Sequence, residues 1–96
     1  MAKHAIKSNI QVLFIKEGDS FVCYAPAFDL AAHGDTLEDA KRSFEVTFKL
    51  FVEEVTRMRT WPKVLKEYGW KTIHKKLIPP QFIGRTSRSV QIPAFA

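Results

Sequence analysis

An α+β fold is what this sequence predicts, on three observations. Short β-branched and aromatic runs separated by turn residues open the chain. One long segment with apolar side chains at helical spacing follows them. The 96 residues suffice for one domain with one modest core.

IQVLFI, residues 10–15, is too short for an independent helix and predicts a strand. KEGDS supplies a turn through Gly18 and Asp19, and FVCYA, residues 21–25, is the returning strand of a hairpin. Pro26 has no N–H to donate and ends that strand. DLAAH, residues 29–33, is a third strand candidate ahead of Gly34. The first two strands lack a polar face: Ile10, Val12 and Phe14 alternate with Gln11, Leu13 and Ile15. A sheet apolar on both sides needs two covers. One helix supplies one, and the other has to come from the C-terminal segment or from another chain.

The long helix follows. Leu37, Ala40, Phe44, Phe48, Phe51, Val52, Val55 and Met58 fall on one stripe at about 100° per residue. Val46 and Leu50 project from nearly the opposite side. Asp35 or Thr36 occupies the N-cap position, with Glu38 three residues after Asp35 as a capping box requires. Asp35, Glu38 and Asp39 therefore start a helix, and the helix dipole favours them there. TWPKVLKEYGW predicts a second, short helix: Thr60 is its N-cap, Pro62 stands in its first turn, and Gly69 stops it. Val64, Leu65 and Tyr68 pack, flanked by Trp61 and Trp70. WKTIHKKL, ahead of Pro79 and Pro80, predicts one further strand. The chain thus divides into a domain over residues 1–77 and an extended basic tail over 78–96, with a strand-like end at residues 90–92.

Charge follows the same division. Residues 1–60 carry eight Lys/Arg against nine Asp/Glu, whereas residues 61–96 carry seven against Glu67 alone. The basic half suits nucleic acid or an acidic protein surface. Lys71, Lys75, Lys76, Arg85 and Arg88 are the candidate phosphate contacts. No stretch approaches the roughly 20 apolar residues of a membrane span, and MAKHAIKSNIQVLFI does not read as a signal peptide. Cys23, the one cysteine, excludes an internal disulfide and fits a reducing, cytoplasmic setting. His4, His33 and His74 are scattered, without HxxxH or CxxC company, so no metal or cofactor is expected. Cys23 lies in a predicted strand as a small core residue. Nothing here signals catalysis, and the chain reads as a non-enzyme.

FVCYAPAFDL, with Tyr24, Ala25, Pro26, Asp29 and Leu30, followed by GDTLEDA at residues 34–40, resembles the HicB family of bacterial antitoxins. LKEYGW, with Leu65, Gly69 and Trp70, is similar to the L-x-x-x-G-W of small bacterial relatives. The likeness covers roughly residues 10–70. It implies a three-stranded antiparallel meander covered by the long helix, a degenerate RNase H-like fold without that fold's catalytic acids. It also implies a HicA-like partner, a small basic ribonuclease toxin of a type II toxin–antitoxin system, which the antitoxin sequesters.

On this reading the toxin docks on residues 26–33, with Pro26, Phe28, Asp29, Leu30 and His33 as candidate contacts. The chain is expected to form a homodimer or higher oligomer through a strand edge or through Val46 and Leu50. The alternative is a DNA- or RNA-binding regulator that uses the basic half.

Overall fold

The structure, a computed structural model, describes residues 6–94. Its architecture is α+β. A three-stranded antiparallel sheet in the order β1-β2-β3 packs on one long helix, followed by a short helix and a two-stranded hairpin. The strands are β1 (Leu13–Glu17), β2 (Ser20–Ala25) and β3 (Leu30–Gly34); the helices are α1 (Leu37–Met58) and α2 (Trp61–Glu67); the hairpin is β4 (Lys71–Ile73) with β5 (Lys76–Ile78).

β1 opens at Leu13 rather than at Ile10. Its register with β2 runs from Leu13 opposite Tyr24 to Glu17 opposite Ser20. Beyond Ala25 the chain turns into a 3-10 helix (Pro26–Phe28), so residues 10 and 11 lose the strand that would have faced them. Pro26 is the cause, having no N–H for a ladder and a φ that suits the first position of a helical turn. Asp29 then reverses the chain in the left-handed conformation, φ 50°, and β3 starts one residue later than DLAAH suggests.

α1 is capped by Thr36, whose hydroxyl accepts from the Asp39 amide at 3.0 Å. That places Asp39 third in the helix and Glu38 second, so the box built on Asp35 and Glu38 does not form. Gly34 is explained by the same corner. A Cβ there would lie 2.7 Å from the Asp39 carbonyl carbon and closer still to the Ala40 amide nitrogen. The first turn of α1 rests directly on the Gly34 backbone. At its other end α1 closes with Arg59 in the left-handed region and Thr60 donating to the Val55 carbonyl.

The stripe on α1 is core over most of its length: Ala40, Phe44 and Val55 are buried, and Leu37, Phe48, Phe51 and Val52 are half-buried. Met58, at the last turn, is exposed instead. Cys23, Ala25 and Ala32 meet Ala40 and Phe44 on the helix side of the sheet. The sheet's other side carries Leu13, Ile15, Tyr24, Ala31 and His33, half-buried or exposed, around buried Val22.

A second core lies beyond the end of the sheet. Phe28, 6% exposed, is its hub, with Phe48, Phe51, Trp61, Tyr68 and Trp70 all within 6.4 Å of it, centroid to centroid. Trp70 stacks on Phe28 at 5.0 Å and donates its indole N–H to the Ala27 carbonyl at 2.9 Å. Val64, Leu65 and Tyr68 pack there as their spacing requires. Gly69, φ 80°, ends α2 while the Trp70 amide bonds the Leu65 carbonyl.

WKTIHKKL is not one strand. It is a complete hairpin that turns at His74 and Lys75, both left-handed. Residues 81–94 are exposed throughout and form no strand, residues 90–92 included. The radius of gyration, 16.6 Å, exceeds the roughly 12–13 Å of a compact chain this long, because this segment extends off the body. It supplies no second cover for the sheet. His4 lies outside the described residues.

Phe28→Ala is expected to cost about 3–5 kcal/mol, and Gly34→Ala at least about 1–3 kcal/mol by overpacking against helix backbone. Chemical denaturation of both variants checks this. A Gly34→Ala protein as stable as the parent would refute the close approach.

Candidate docking surface

The five residues proposed to meet a partner divide in the structure. Phe28 is the hub of the second core and presents no surface, a correction to its place among the contacts. Its side chain lies among Phe48, Phe51, Trp61, Tyr68 and Trp70. Leu30 lies on the helix side of β3, half-buried against both cores. Pro26 and Asp29 are exposed together at the tip of the turn. His33 is also exposed but lies on the sheet's open side, opposite Val22. Three residues, Leu30 to Ala32, stand between it and Asp29, a separation of at most about 13 Å.

The tip is held rigidly. The Asp29 amide donates to the Pro26 carbonyl at 3.2 Å, and the Tyr24 hydroxyl donates to Asp29 Oδ1 at 2.8 Å. The second contact raises the Tyr24 pKa above its ordinary value, first through that hydrogen bond, then through burial and the Asp29 charge. One carboxylate oxygen stays available to solvent or a partner. Sequence reasoning missed Tyr24 as a support. The signal available was a Tyr five residues before an Asp across a Pro-containing turn.

Beside the tip runs an open groove of about 460 Å³, lined by Asn9, Ile10, Gln11, Pro26, Pro80 and Phe82 among others. One wall is the unpaired stretch before β1 and the other is the start of the C-terminal segment. Ser8 Oγ donates to the Leu77 carbonyl at 3.2 Å and holds these walls near each other.

The basic candidates gather in part. In the hairpin, Lys71 faces Ile78 and Ile73 faces Lys76 across the ladder, so Lys71, Ile73 and Lys76 share its outer side. Lys75 stands at the turn. Leu77, on the other side, packs toward Phe28 and Trp70. Arg85 and Arg88 lie farther along, exposed on the extended segment. Val46 and Leu50 are both exposed on α1.

Among the described residues, no three His, Cys, Asp or Glu side chains converge as a metal site. Asp39 pairs with Arg42 on the helix surface at 3.3 Å. Cys23 is buried, and desolvation pushes its thiol pKa up against a smaller opposing effect of Lys41. No helix among the described residues is long and apolar enough to cross a membrane. No protein-family model, curated protein or solved structure matches the chain, so the likeness to HicB antitoxins rests on the segments quoted above.

Because its folded pKa is raised, Tyr24 contributes stability below the ordinary tyrosine value near 10.0 and loses it as pH rises through the folded value. In a Tyr68→Phe background, ultraviolet titration is expected to show Tyr24 ionising above that value. Asp29→Asn should move it back. An unchanged titration after Asp29→Asn would disprove the coupling.

Proposed function

We propose that this chain is a non-catalytic binding protein of HicB type that sequesters a small basic ribonuclease in the cytoplasm, as the antitoxin of a type II toxin–antitoxin pair. The observation that carries this reading is the Pro26/Asp29 tip. It offers an exposed carboxylate whose geometry is locked by Tyr24 and by a backbone bond, over a hub residue anchored in the second core. A preorganised anion suits Lys or Arg of a basic partner, since little ordering entropy is lost on binding. The meander on a long helix is the architecture that the sequence likeness implies. Val46 and Leu50 take no part in this docking.

Co-expression with the product of a neighbouring short reading frame for a basic, dsRNA-binding-like protein is expected to yield a stable complex that suppresses its ribonuclease activity. Asp29→Lys should weaken that complex on the order of tenfold, about 1.4 kcal/mol. Full ribonuclease activity in the presence of excess partner would sink the reading.

A second reading, a nucleic-acid-binding regulator, is favoured by the hairpin, which gathers Lys71, Lys75 and Lys76 on one exposed ribbon, with Arg85 and Arg88 farther along the chain. Phosphate contacts from these residues imply steeply salt-dependent binding. Each lysine replaced should flatten the slope of log K against log salt by about 1. Binding whose salt slope ignores Lys71→Ala and Lys76→Ala would exclude this version.

A further inference from the structure

We propose that two copies of this chain join by pairing the free edge of β1 with itself, residues 7–17 of each copy running antiparallel about a twofold axis through Val12. The proposal does not rest on the reading of the Pro26/Asp29 tip or of the basic hairpin, although residues 9–11 line the groove beside Pro26.

The first argument is unpaired backbone. Residues 10–15 are strand-forming, yet pairing with β2 starts only at Leu13. Among the described residues, no loop, turn or cap backbone hydrogen bond engages residues 6–12. Ser8 is tethered through its side chain alone. Beyond Leu13, β1 is the edge of its sheet. Neither proline nor bulge interrupts that edge: residues 6–17 contain no proline, and the β1–β2 register is continuous. Such an edge is a template for another strand.

The second argument is uncovered apolar surface on both sides of that edge. α1 lies over β3 and β2 and reaches β1 least. Phe14, on the helix side, is therefore 56% exposed, and Ile15, on the other side, 40%. Val12, Phe14, Phe44 and Lys41 line a shallow crevice of about 190 Å³ between β1 and α1. Lys41 Nζ covers the Phe14 ring only from 5.1 Å. Extending the sheet past β1 would cover Phe14 and Ile15 together.

The third argument fixes the register. Side chains alternate along a strand, so a twofold between identical strands must set residues of the same side opposite each other and be centred on a residue. Lys7, Lys16 and Glu17 are the charged residues between 6 and 17. Centring on Val12 places Lys7 opposite Glu17 in both halves and Lys16 opposite Ser8. It also sets Ile10 opposite Phe14, and Val12 opposite Val12, on the helix side where the two crevices meet. Centring on Leu13 would press Lys16 against Ile10, and centring on Phe14 would press it against Val12. Opposite charges directly across a ladder stabilise it, whereas a lysine set against an apolar partner strands its charge. β3 offers the poorer edge, because its side chains on the sheet's open side are only Ala31 and His33.

The test is the mass of the purified full chain by light scattering over a range of concentrations, with circular dichroism and thermal unfolding as controls. A concentration-dependent dimer is expected. Phe14→Lys, at an exposed position, should leave the fold intact and shift the protein to monomer. Lys7→Glu and Glu17→Lys should each weaken the dimer, and the double variant should restore it. Under mild oxidation Val12→Cys is expected to cross-link as a dimer and Phe14→Cys is not, with Cys23 buried and silent. A monomer at every concentration overturns the proposal. So does a dimer insensitive to Phe14→Lys, one abolished by Val46→Lys, or cross-linking at Phe14→Cys in place of Val12→Cys.

Discussion

The contact between Trp70 and the Ala27–Phe28 turn is the constraint on which the rest of this structure depends. It joins positions 43 residues apart through one buried hydrogen bond and one stacked pair of rings. α1 already holds the sheet through Phe44 and its neighbours. α2 and the hairpin, by contrast, reach the body through the aromatic group centred on Phe28. Rings in tilted and edge-on pairs contribute about 0.5–1.5 kcal/mol each beyond the area they bury. In a chain whose total stability is of order 5–15 kcal/mol, that one group decides whether the second half is docked. It also decides the shape of the tip, because the carbonyl that Trp70 engages belongs to the turn that presents Pro26 and Asp29.

How much of this was legible in the sequence depended on whether the determining contact was local. α1 was legible because Thr36, the apolar stripe and the turn at Arg59 all act within a few residues of one another. The α2 stop at Gly69 was legible for the same reason. The start of β1 was not: IQVLFI has the composition of a strand from Ile10, but a strand needs a partner, and the 3-10 turn at Pro26 removes it from residues 10 and 11. Phe28 lies in the segment 26–33 to which the family likeness assigns docking, and that likeness carries no information on its side chain's direction. Its inward direction follows from a left-handed residue at 29 and from a tryptophan far along the chain. The second hairpin was hidden because its turn is His74-Lys75, a pair that no rule for tight turns favours over Asn-Gly.

The division of charge seen along the sequence becomes a division of surfaces. The acidic tip stands at the end of the three-stranded sheet, and the lysines stand on the outer side of β4 and β5. Under the two proposed readings, Asp29 would meet a cationic protein and the hairpin lysines a polyanion. Neither surface is a mixed patch that would weaken both. Interactions at such exposed sites are screened over about 8–10 Å at physiological salt, so each depends on its own few residues and little on the net charge of +5.

Backbone strain separates the two surfaces further. Among the described residues, four other than glycine adopt positive φ: Asp29, Arg59, His74 and Lys75. Arg59 is compensated by the hydrogen bonds that close α1, and Asp29 by its amide bond to Pro26 and by Tyr24. His74 and Lys75 sit at an exposed turn where the short ladder of β4 and β5 is the compensation. A left-handed residue with a side chain costs roughly 1–2 kcal/mol relative to its preferred region, and glycine at either position would remove that cost. A lysine at this turn therefore holds a positive charge at the farthest point of the ribbon against the local conformational preference. Where a chain keeps a costly residue at an exposed turn, the side chain is the part worth keeping. For the proposed nucleic-acid contact, the hairpin tip with Lys75 is therefore the part to test ahead of the arginines of the extended segment.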